Sequence, residues 1–272
     1  MVDRNWRALP VLTFCLALLF WLAIPARAST ATLVEWELVK RWPHRSGAFT
    51  QGLLWDGDTL LESSGLYGRS WLGRWRPDDT APPQRVRLSR RYFAEGLTRL
   101  DDRLYLLTWR EGRALVFDAQ TLEQIDSHRY RGEGWGLTDD GERLIMSDGS
   151  ATLRFVDPEN FSELARLQIT DGGNPVTQLN ELEWIPAAAP LAPGAPRILA
   201  NRWQTEEIVV IDPASGNVTG RLDLRDLYPV RERRPGDDVL NGIAYDPRDA
   251  TLWVTGKHWP WLYQLRLPAP LP

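Results

Sequence analysis

"AEGLTRLDDRLYLLTWREGRALVFDAQTLEQIDSHRY", residues 94–130, reads as four short β-strands in succession. "AEGLTRL" and "RLYLLTW" flank an Asp-rich turn, "ALVFD" runs into a type I turn, and "IDSHRY" follows as a more polar strand. The plan recurs. "TQGLLWDGDTLLESSGL" begins near residue 50, "GWGLTDDGERLIMSDG" at 134, "LNELEWI" at 179 with "RILANRW" after it, and "LNGIAYDPRDATLWVTGKHW" at 240. Third strands follow in "LRFVDPEN", "IVVIDPAS" and "WLYQLRL", and fourth strands in "QRVRLSR", "ARLQIT" and "GRLDLRD". Repeats of this length, each with about four short strands, are the mark of an all-β β-propeller, here with five blades. The last unit runs out after three strands. The alternating "TLVEWELVKRW" upstream of the first unit is expected to complete that blade, closing the ring and hiding an edge. "PAAAPLAPGAP", residues 186–196, reads as a solvated loop inserted in the fourth unit.

The chain ends bound the rest. Arg4 and Arg7, an apolar run over residues 10–24 and the small-x-small site Ala26-Arg27-Ala28 make residues 1–28 a cleaved signal peptide, with Ser29 as the mature N-terminus. The expected product is periplasmic or secreted, a monomer of one domain over residues 29–272, without stable membrane association after cleavage. The only cysteine, Cys15, lies in the leader, so the mature chain has neither disulfides nor a thiolate metal site. Its 14 tryptophans, most of them downstream, must carry much of the packing instead. A net charge of −4 gives no reason to expect nucleic acid as partner.

Superposing the units on their first strands aligns Gln51, Glu95, Trp135, Asn180 and Asn241, with Glu181 where the other units have glycine. First strands line the channel of a propeller, so these residues ring one mouth of it. Consecutive strands are antiparallel, which brings the ends of the second strands to the same face. That adds Trp109, Trp203 and Lys257, while Phe49 and Phe93 supply apolar walls. Core packing does not call for Gln, Glu, Asn, Asn and Lys on one rim. A small-molecule or peptide-end site does. The three histidines (His44, His128, His258) are scattered, against a zinc hydrolase or a serine triad. A calcium-dependent lactonase-like propeller would find carboxylates and amides in Glu95, Asn180, Glu181, Asn241 and Asp148. A propeller that only binds a peptide terminus or small ligand is the other alternative.

The stretches "FTQGL", "ESSGLYGRS", "FAEGLT", "GEGWGLT", "LNELEWI", "ANRWQT", "LNGIAYD" and "TGKHWP" span all five units in order. Through them the chain resembles the plant-type glutaminyl-peptide cyclotransferases. The resemblance implies conversion of an N-terminal glutamine of peptides or proteins to pyroglutamate with release of ammonia, and no required cofactor or metal. It also implies that Glu95 is the catalytic acid/base. Phe49, Gln51, Phe93, Trp109, Trp135, Asn180, Trp203 and Lys257 would bind substrate.

Overall fold

Each repeat folds into an antiparallel four-stranded sheet in the computed structural model, which describes Met1 and residues 31–44, 48–79 and 84–272. The leader and its cleavage site lie outside the described residues. The first sheet holds Thr50–Asp56, Thr59–Ser64, Trp71–Trp75 and Gln84–Arg87, and the second Ala94–Leu100, Arg103–Thr108, Arg113–Asp118 and Gln124–Arg129. Leu137–Asp139, Leu144–Met146, Thr152–Val156 and Glu163–Gln168 form the third. The fourth contains Leu179–Ile185, Arg197–Arg202, Glu207–Ile211 and Val218–Asp223. The fifth is built from Leu240–Asp246, Thr251–Gly256 and Trp261–Arg266, and its outer strand is the N-terminal Glu37–Pro43, antiparallel to Trp261–Arg266. The five first strands touch one another in a closed cycle, which makes the arrangement a five-bladed β-propeller.

Burial follows position in the blade. Inner strands are sandwiched between neighbouring blades and are buried on both faces, whereas outer strands such as Glu163–Gln168 are largely exposed. Apolar side chains gather in one cluster at each interface. Leu61, Leu72, Leu97 and Leu106 fill the gap between blades one and two, and Leu53, Leu60, Ala244 and Trp253 that between blades five and one.

The repeated Gly-Leu pair has a steric cause. A Cβ on Gly52 would stand 2.6 Å from Leu97 N, one on Gly96 2.4 Å from Leu137 N, and one on Gly136 1.9 Å from Asn180 O. Only a bare Cα lets the next blade approach so closely. In the fourth unit Glu181 stands at this place and spans the channel instead. Its carboxyl oxygens accept from Leu53 N at 3.2 Å and Ile243 N at 2.8 Å, tying blade four to blades one and five.

Two expectations need correction. "TLVEWELVKRW" is not one strand: Thr32–Leu33 runs parallel to Val218–Asp223 as a fifth strand of blade four, before the chain crosses to blade five. The Trp36 indole N–H, bonded to Asp223 O at 2.9 Å, holds that crossing and interrupts the alternation. Residues 186–196 are not simply a solvated loop either. Ala189, Leu191 and Ala192 are buried against Leu227, Tyr228, Leu267 and Leu271, and Leu271 N donates to Leu191 O at 2.7 Å. The insertion is a cap on the blade four–five core, because its alanines and leucine cover apolar surface that the sheets leave open.

Candidate active site

The aligned polar residues sit where strand pairing slips. Register shifts fall between Thr50 and Gly52, Ala94 and Leu97, Leu179 and Leu182, and Leu240 and Ile243, so Gln51, Glu95, Asn180 and Asn241 each lie in a bulge. A bulge re-aims a side chain that a regular pleat would send into a blade interface. In the third unit the regular strand begins only at Leu137, leaving Trp135 and Gly136 in irregular backbone. Side chains at the ends of second strands then fix this backbone to the next blade. Ser63 Oγ donates to Glu95 O at 2.6 Å, Ser147 Oγ donates to Asn180 O at 2.7 Å, and Gly242 N donates to Asn201 Oδ1 at 3.0 Å.

A pocket of about 220 Å³ opens at this end of the channel. Phe49, Gln51, Phe93, Glu95, Trp109, Trp135, Asn180, Trp203 and Lys257 all line it, together with Asp238. Every site residue expected from the sequence is therefore brought to one place. A larger cleft of about 340 Å³ lies elsewhere, around Trp42, Trp55 and Trp253. The Lys40 ammonium covers the Trp42 ring, the Arg248 guanidinium covers Trp55, and Trp42 stacks on Trp253, which leaves few ring faces for a ligand.

The floor is a line of side-chain amides that ends on a carboxyl group. Asn180 Nδ2 donates to Asn241 Oδ1 at 2.7 Å, and Asn241 Nδ2 to Thr50 O at 2.9 Å and Gln51 Oε1 at 3.3 Å. Gln51 Nε2 in turn donates to Glu95 Oε1 at 3.2 Å. Each amide's orientation is set by the one before it, so a donor is held toward Glu95. The oxygens a calcium ion would use are largely committed to these bonds and to those of Glu181. Among the described residues no cluster of His, Cys, Asp and Glu has the arrangement of a metal site.

Glu95 and Lys257 are each only 5 % exposed. Burial pushes the Glu95 carboxyl well above the usual range; Lys257 opposes this, and the carboxylates of Glu133 and Glu111 add to it. Burial likewise lowers Lys257, against the pull of Glu95 and Asp238. The Lys257 ammonium lies 4.9 Å from the centroid of Phe49. Aromatic edges complete the walls: Phe49 meets Phe93 at 6.0 Å, Phe93 meets Trp109 at 5.5 Å, and Trp135 meets Trp203 at 5.4 Å.

Three neighbours escaped the sequence comparison of units. Asp238 precedes the fifth unit's first strand, in a connection with no counterpart elsewhere. Glu111 follows the second unit's second strand, where it accepts from Tyr67 OH at 2.7 Å and Phe93 N at 3.4 Å. Glu133 stands two residues before Trp135, and that proximity was the one available signal.

The chain as a whole is similar to known proteins. The chain is 37 % identical over 237 residues to a glutaminyl-peptide cyclotransferase of Arabidopsis thaliana, covering 86 % of this chain and 71 % of that one. The crystal structure of Myxococcus xanthus glutaminyl cyclase superposes with a TM-score of 0.76 at 34 % identity, covering 87 % of this chain and 98 % of the other. The family model for glutamine cyclotransferase matches residues 12–267, nearly the whole length, and on that ground the chain belongs to the glutamine cyclotransferase family.

Proposed function

We propose that the pocket binds an N-terminal glutamine and cyclises it to pyroglutamate with release of ammonia, using Glu95 as proton shuttle and no metal ion. The observation that carries this reading is a buried carboxyl group, held by Gln51 and facing Lys257, at the floor of an aromatic pocket sized for one residue. The reaction is intramolecular, so holding the substrate's α-amine against its side-chain amide carbon supplies much of the rate. An α-amine has a pKa of about 7.7 to 8.0, and a fraction is neutral near pH 7. As its nitrogen bonds to the carbon, Glu95 takes the surplus proton and returns it to the amide nitrogen, which leaves as ammonia when the C–N bond breaks. A carboxyl raised by burial suits both halves of that transfer. The second N–H of Asn180 and the Lys257 ammonium, both on the pocket wall, are the donors for the oxygen of the tetrahedral intermediate.

Ammonia release from a glutamine-initiated dipeptide should persist after exhaustive chelation while circular dichroism shows the fold intact. Loss of turnover with the fold retained, restored by zinc alone, would contradict a shuttle that works without metal. Export is part of the same proposal, since the leader's charged start, apolar run and Ala26-Arg27-Ala28 site are those of a cleaved signal. The exported protein should show the intact mass of residues 29–272. A retained leader would overturn that. Peptide and protein N-termini are the proposed substrates, the protein acting as a monomer.

A further inference from the structure

We propose that Glu133, which does not line the pocket, is a positioning residue for the cyclisation: its carboxylate holds the Trp109 and Trp135 walls at their working separation. This rests on the activity proposed above. One oxygen, Oε2, accepts both indole N–H groups, from Trp109 at 2.8 Å and from Trp135 at 2.9 Å. The other, Oε1, accepts Arg110 Nε at 2.9 Å, and the same guanidinium lies 3.7 Å from the centroid of the Trp109 ring. Trp109 belongs to the aromatic run with Phe49 and Phe93, and Trp135 to the pair with Trp203. Glu133 is thus the hydrogen-bonded link between the two halves of the wall. Burial alone would raise its carboxyl, but the bonds from Trp135, Trp109 and Arg110 outweigh that and hold it below the ordinary range, so it is ionised.

That charge has a second consequence. Lys257, Glu133 and Glu111 are the charged groups that act on Glu95, with Gln51 as its neutral donor, and Asp238 acts on Lys257. Burial keeps the Glu95 proton affinity high, with Lys257 opposing it and the carboxylates of Glu133 and Glu111 adding to it. Removing the negative charge of Glu133 lowers the pKa of every group facing the substrate, carboxyl and α-ammonium alike. The acid limb of the kcat profile, which reports groups in the complex, must therefore move to lower pH.

The test is steady-state kinetics on a glutamine-initiated dipeptide across pH, with thermal melts, for wild type, Glu133→Ala and Glu133→Gln. In Glu133→Ala, kcat/KM should fall about a hundredfold, the order expected when a substrate is misplaced by about 1 Å. Glu133→Gln keeps a carbonyl for the two indoles and should recover to within about tenfold of wild type. Both variants should show the acid limb at lower pH than the wild type. Wild-type constants and an unmoved limb in both variants, beside an active wild type, overturn the role of Glu133 alone. A wild type that releases no ammonia overturns the activity and this role with it. Should Glu133→Ala fail to fold, the limb and KM of Glu133→Gln decide the matter.

Discussion

Glu95→Gln should lower kcat by at least about two orders of magnitude while changing substrate affinity far less. The substitution keeps the shape of the side chain and an acceptor for Gln51 Nε2, so the line of amides from Asn180 through Asn241 survives. What it removes is the one buried group on the pocket floor able to accept a proton from the amine and return it to the leaving nitrogen. Stability should hold or rise slightly, because burial makes the ionised carboxylate costly to keep in the fold. Turnover, affinity and melting temperature measured together separate this outcome from misfolding. Near-native turnover in a folded variant would move the shuttle to another group.

Glu62→Gln should be strongly destabilising. Glu62 lies on the second strand of blade one and is fully buried, and His44, at the end of the blade-five outer strand, reaches it with Nε2 at 3.0 Å. The other ring nitrogen, Nδ1, meets Trp259 O at 3.0 Å, so the imidazole links the Glu62 carboxylate to the backbone of the fifth unit. Thr50 Oγ1 and Trp75 Nε1 also donate to the carboxylate, at 2.7 and 3.2 Å. Burial raises the Glu62 carboxyl, yet the His44 charge, the bonds from His44 and Thr50, and the charge of Arg85 outweigh it and leave the group below its ordinary value. A glutamine amide can accept on one side only, and its NH₂ would then confront another donor. Breaking one partner of a buried pair costs about 3–5 kcal/mol, or a fall in Tm of about 6–20 °C for a domain of this size. The folded-state pKa lies below the unfolded one. The contribution is therefore complete above the unfolded value of about 4.3 and is lost as pH falls through the folded value. Melts of both proteins should differ most near neutrality and converge in acid. A constant gap down to the lowest pH would mean that the carboxylate's charge is not what holds blades five and one.

Local pattern carried most of the fold. Strand pairs such as "LNGIAYD" and "TLWVTG" are legible because short apolar runs are bounded by turns rich in Asp, Gly and Pro, and the repetition of those turns gives the blade count. The pocket was legible for the same reason: a repeated unit places equivalent positions on one rim, so Gln51, Glu95, Asn180 and Asn241 could be aligned without coordinates. What alignment could not reveal is the bulge that turns each of them, since a register shift depends on the partner strand. It also missed residues outside equivalent positions. Asp238 and Glu111 come from connections that differ between blades, and Glu133 acts through the indoles of its neighbours. The strand break at Trp36 and the buried cap at Leu191 were missed because each is fixed by a distant partner, Asp223 in one case and the segment around Leu271 in the other.

The central claim is that this pocket cyclises rather than merely holds an N-terminal glutamine. Incubation of the purified mature protein with a glutamine-initiated dipeptide, followed by quantitation of ammonia and of the peptide's mass, tests it most directly. The account predicts one ammonia released for each pyroglutamyl peptide formed, at a rate that collapses in Glu95→Gln. A dipeptide that binds to the wild type and is recovered intact, with no ammonia, would contradict it and leave a propeller that only captures peptide ends.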